Sequence, residues 1–118
     1  MTGDPGDLKE SARRGLEEVG YEERLVGYQS SPAMGNMPLS LYSLREVLHF
    51  LAGNDGSLVN YVDLKELGEW VDKVLGDEDL RLAIERDLEA KDEYQRRSLR
   101  IAQVIGDRIA HYESILSA

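Results

Sequence analysis

The most regular pattern of apolar and polar positions lies in the last third of the chain. Leu80, Ile84, Leu88, Tyr94, Ile101, Ile105, Ile109, Tyr112 and Leu116 fall on one stripe at a spacing near that of an α-helix. Asp77 stands where an N-terminal cap belongs, so the pattern predicts a helix over 77–116. At about 1.5 Å per residue it would be about 60 Å long, more than a domain of this size needs, so it must bend, break or project. Asp87, Lys91 and Ser98 interrupt the stripe, but residues 92–98 contain no proline or glycine, which favours one long helix over two.

Shorter helical patterns precede it. Leu8, Ala12, Leu16 and Val19 follow Asp7 and Glu10, whose spacing is that of a capping box. Ser43 and Glu46 repeat that spacing ahead of Leu44, Val47, Leu48 and Leu51, with Tyr42, Phe50 and Ala52 making this second helix apolar nearly all round, the mark of a central element. Asp63 and Glu66 open a third, carrying Leu64, Leu67, Trp70, Val71, Val74 and Leu75 and ending at Gly76. Between the second and third, Asn54-Asp55-Gly56 is a turn signal and residues 57–62 allow one short strand. Residues 1–6 read as a flexible tail. The fold expected is all-α, a single-domain bundle of about four helices over 7–118 with one long C-terminal helix.

One stretch has no helical period. From Leu25 to Leu44 the chain reads LVGYQSSPAMGNMPLSLYSL, twenty residues without a charge. Gly27, Pro32, Gly35 and Pro38 rule out a membrane-spanning helix and predict an irregular segment over 27–38. Met34 and Met37, flexible and polarizable, suit an adaptable contact with a partner.

The chain has 118 residues, no cysteine, 42% apolar and 31% charged positions, and a formal net charge of −9. The missing thiols exclude disulfide scaffolds, thiol catalysis and cysteine-ligated metal sites. The acidic start lacks the basic and apolar pattern of a signal peptide, which points to the cytoplasm. Net negative charge opposes phosphate backbones, so nucleic acid is an unfavoured partner. The charge is uneven. Residues 77–95 hold eight acids and three bases, whereas residues 96–118 hold two acids and four bases.

Specific chemistry is sparse. The rhythm of 40–75 resembles a helix-turn-helix regulator, but its would-be recognition helix carries Asp63, Glu66, Glu69 and Asp72 against Lys65 and Lys73, the wrong sign for DNA. A calcium loop around Gly56 fails because Val62 falls where a bidentate glutamate belongs. Glu46 and His49 have the E-x-x-H spacing of carboxylate–histidine metal proteins and are the candidate ligands of that alternative. No nucleophile elbow, P-loop or dinucleotide-binding glycine motif is present, so neither an enzyme nor a bound cofactor is indicated. The favoured expectation is protein–protein interaction, as a homodimer built on the long C-terminal helix. Two antiparallel copies would set its acidic half beside its basic half. Tyr94, Ile101, Ile105, Ile109 and Tyr112 are the candidate contacts there, and Met34 and Met37 those of the uncharged segment, with a second protein partner also possible.

Overall fold

Three helices begin where the sequence places their caps. Ser43 Oγ accepts the Glu46 backbone N–H at 3.2 Å, and Glu46 accepts the Tyr42 N–H at 2.8 Å. Asp63 accepts from the N–H groups of Lys65 and Glu66, and Asp77 from that of Leu80. The computed structural model describes residues 5–54 and 58–118. Residues 1–4 of the expected tail, and Asp55 and Gly56 of the expected turn, lie outside the described residues. In chain order the elements are α1 (Pro5–Leu16), β1 (Leu25–Ser31), β2 (Gly35–Leu41), α2 (Leu44–Ala52), β3 (Val59–Tyr61), α3 (Leu64–Lys73), α4 (Glu78–Leu88) and α5 (Tyr94–Ser117), with a 3₁₀ turn at Tyr21–Glu23.

The all-α expectation is therefore corrected: five helices accompany a three-stranded antiparallel sheet of order β2-β1-β3, and the fold is mixed α/β. The segment read as irregular over 27–38 is most of a hairpin, in register from Leu25 opposite Leu41 to Ser31 opposite Gly35. Its connection is Pro32-Ala33-Met34, closed by Gly35 at φ 67°, a left-handed conformation that glycine adopts without strain. Pro38 is compatible with a strand because β2 is an edge. The possible strand within 57–62 exists as β3, paired to β1 through Tyr28 and Tyr61.

The expected helix over 77–116 is two helices, with residues 89–93 between them. The Arg97 side chain donates to the Ala90 carbonyl, and Asp92 accepts the Glu93 N–H at 2.8 Å. Arg100 reaches Asp87 and Asp92, both at 2.7 Å, while Arg108 reaches Asp77 at 2.7 Å. Ascending α5 thus meets descending α4, and the two run antiparallel. The fold-back has a plain physical cause. The longest axis of the molecule is 51 Å, and an unbroken helix of about 60 Å would leave part of its stripe in water. Folded back, Leu80, Ile84, Ile101 and Ile105 are buried together with Leu44, Val47 and Leu51 of α2 in one core cluster.

Candidate interaction site

The sheet has two edges, and they differ. The Asn60 N–H donates to Asn54 Oδ1 at 2.7 Å, so the main chain of Asn60 faces away from β1. The alternation of an antiparallel ladder then turns Tyr61 toward Tyr28, and Gly27 and Gln29 toward β2. Beyond β3 the edge is closed by one side chain. The Tyr94 hydroxyl accepts the Val62 N–H and donates to the Asn60 carbonyl, both at 3.0 Å, and its ring lies 4.9 Å from that of Tyr61. Burial pushes the Tyr94 hydroxyl up to about 12, against a smaller opposing effect of the Val62 N–H. At the β2 edge, Asn36, Pro38 and Ser40 turn their main-chain groups outward, and Pro38 has no N–H to offer. The Ser40 side chain accepts from Arg24 Nε at 3.1 Å.

One face of the sheet carries Leu25, Gly27 and Gln29 of β1 beside Leu41, Leu39 and Met37 of β2. At the α2 end this face is covered: Leu25 and Leu41 are buried, and Phe50 packs over Gly27. A Cβ on Gly27 would stand 2.6 Å from Phe50 Cζ, so close approach requires glycine there. At the hairpin tip the face is open, with Met37 46% and Met34 67% exposed. Two adjoining hollows occupy the face. One of about 380 Å³ is lined by Gln29, Leu39, Glu46, His49, Phe50 and Asn60; the other, of about 200 Å³, by Gln29, Leu39, Met34, Met37 and Leu58. Asn60 is buried in the floor of the larger. Its Nδ2 donates to the Phe50 carbonyl at 3.0 Å, whereas its Oδ1 is buried with no hydrogen-bond partner.

The candidate residues separate clearly. Met34 and Met37 lie together at the exposed tip. Ile101, Ile105, Ile109 and Tyr112 are buried inside the chain's own core, and the Tyr94 hydroxyl is committed to the β3 edge. The polar complement that a second copy was expected to bring to α5 is supplied from within, since α4 places Asp77 and Asp87 against Arg108 and Arg100. Glu46 and His49 both line the larger hollow, but Glu46 is occupied as the α2 cap, and among the described residues no group of three His, Cys, Asp or Glu is placed to hold a metal. His49 is exposed, not packed into the core.

Gln29, Leu39, Phe50 and Asn60 are the face residues that pattern reasoning did not single out. The alternation Met37, Leu39, Leu41 against Asn36, Pro38, Ser40 was the available signal, obscured by Pro38. A second polar cluster is structural. Both Asp77 oxygens are filled by Arg108, the Tyr112 hydroxyl and the Leu80 N–H, which leaves no acceptor for a ligand.

No protein-family model, curated protein or solved structure matches this chain. No helix among the described residues is long and apolar enough to cross a membrane.

Proposed function

We propose that the protein is a cytoplasmic protein-interaction module that self-associates through the tip of its uncharged sheet, face to face across a two-fold axis. The observation that carries this reading is where exposed apolar side chains gather. Of the ten large apolar residues exposed among the described residues, Met34, Met37 and Leu39 lie at the hairpin tip and on the face just described, while Tyr28, Val59 and Tyr61 lie on the other face of the sheet. Met34, Met37 and Leu39 sit within the one long stretch that has no charge.

A second copy is the occupant that this surface suits. Two chains of net charge −9 repel one another, and the uncharged hairpin is where they can touch with least electrostatic cost. A two-fold contact puts the same patch on both sides, so Met34, Met37 and Leu39 meet their own copies, and flexible methionines fill such a surface readily. Pro38 interrupts the outward row of donors, which favours contact through the side-chain face over a continuous ladder between β2 edges. The test is sedimentation velocity on the wild type and on Met37→Glu. The wild type is expected to be dimeric at tens of micromolar and the variant monomeric with an unchanged far-UV spectrum. A dimer unaffected by Met37→Glu would remove the sheet from the interface.

A further inference from the structure

The sheet has a second face, which the two-fold contact does not use. Pro38 on β2 and Tyr61 on β3 both stand opposite Tyr28, so the three side chains form a row across the sheet on the side away from Met37 and Leu39. Tyr28 is 44% and Tyr61 46% exposed, and Pro38 is exposed beside them. The row is firm at one end. Tyr94, held by the Val62 N–H and the Asn60 carbonyl, sets its ring 4.9 Å from that of Tyr61 at 41°. Tyr28 and Tyr61 each bring a phenol O–H to the surface. None of the three strands carries a charge, and at the borders both signs occur: Arg24 follows Glu22 and Glu23, and a hollow of about 400 Å³ beside Tyr61 is lined by Asp63 and Asp92 as well as Lys65 and Arg97.

We infer that the row Pro38–Tyr28–Tyr61 binds an uncharged proline-rich segment of another protein in the polyproline II conformation. One way to bind an extended chain is to add it as a strand, and neither edge of this sheet offers a continuous ladder for that: the Tyr94 hydroxyl occupies the outer side of β3, and Pro38 interrupts the donors of β2. Polyproline II needs no ladder. Its backbone makes no internal hydrogen bonds, so its carbonyls accept from isolated donors such as the Tyr28 and Tyr61 hydroxyls, while its prolines pack on the rings. The dimensions match. Two strand spacings separate Pro38 from Tyr61, about 10 Å, and one turn of polyproline II, three residues at about 3.1 Å each, is about 9 Å. Prolines three residues apart therefore straddle Tyr28. The face also sets the charge of its occupant: an uncharged segment meets uncharged strands, whereas a charged one gains at the mixed-sign borders from one sign and loses to the other. Nucleic acid, whose bases also stack on strand-face aromatics, is opposed by the net charge of −9. Because proline fixes the segment's shape and Tyr94 backs the Tyr61 ring, little order has to be imposed on binding.

The probe is a synthetic peptide of repeated Pro-Pro-Gln units, with repeated Gly-Gly-Gln of equal length as the flexible control. Each is titrated into the ¹⁵N-labelled full chain, wild type and Met37→Glu, following the backbone amides of Tyr28, Ser30, Val59 and Tyr61. The proline peptide is expected to shift those signals saturably, to bind about tenfold more tightly than the glycine peptide, and to keep its affinity as salt rises. Tyr28→Ser, a change at an exposed position, should weaken binding about tenfold with an unchanged far-UV spectrum, and Tyr28→Phe, which keeps the ring, should weaken it less. Equal affinity for the two peptides, full affinity in Tyr28→Ser, or shifts centred on Met37 and Leu39 would overturn the assignment. So would tighter binding of oligouridine with a steep loss in salt, which would make the face a nucleic-acid site. Undiminished binding to Met37→Glu is expected, since the two faces are separate; loss of binding there would contradict that separation.

Discussion

The Tyr94 hydroxyl occupies the position that a further strand beyond β3 would fill, accepting from Val62 and donating to Asn60. Replacing Tyr94 with phenylalanine leaves a main-chain donor and acceptor unsatisfied and is expected to cost about 1–3 kcal/mol in urea unfolding. The same group predicts a pH dependence. Its folded value, about 12, lies above the ordinary tyrosine value near 10, so the native state favours the neutral phenol. That contribution is complete below pH 10 and is lost as pH rises toward 12. Ultraviolet titration should show one of the six tyrosines ionising late, a component that Tyr94→Phe removes. Gly27 offers a second check at this scale. A Cβ there meets the Phe50 ring, so Gly27→Ala should destabilise by about 1–3 kcal/mol, and Phe50→Leu in the same chain should recover part of the loss. Additive losses would show that the two residues do not share the space.

Among the elements, helix starts were the most legible in the sequence, because a cap is a local event: Ser43, Asp63 and Asp77 each bond donors within three residues. What local reasoning could not supply was the outcome of competition at longer range. Residues 89–93 hold no helix breaker, and a continuous helix was the better local solution. The turn forms because folding back buries both halves of the stripe, and Arg97, Arg100 and Asp92 bind the exposed ends. Acid meets base between antiparallel α4 and α5, where Arg100 reaches Asp87 and Arg108 reaches Asp77. Similarly, Pro38 and Gly35 conceal a strand and a hairpin from a period-based reading, since proline at a sheet edge and glycine after a turn are compatible with both. Asp77 ties α4 to α5 most strongly, with its side chain 4% exposed against Arg108. Asp77→Ala removes a cap and strands a partly buried guanidinium, and should cost about 3–5 kcal/mol in urea unfolding. A loss below about 1 kcal/mol would mean that the pair is a surface contact in solution.

At the scale of the whole molecule, Ile105 and its neighbours belong to the interior, so Ile105→Glu is expected to unfold the chain, seen as loss of cooperative melting in circular dichroism. Among the described residues, exposed large apolar side chains are most numerous on the uncharged hairpin and β3, and the proposed dimer uses the Met34, Met37 and Leu39 part of them. This makes salt the most direct discriminator. A dimer through Met34, Met37 and Leu39 opposes like net charges, so screening strengthens it. A dimer pairing the acidic part of one copy with the basic part of another weakens under the same change. Sedimentation velocity of the wild type at low and high salt therefore tests the central claim. The account predicts a dimer at tens of micromolar whose dissociation constant falls as salt rises; a monomer throughout, or a dimer that salt dissolves, would contradict it.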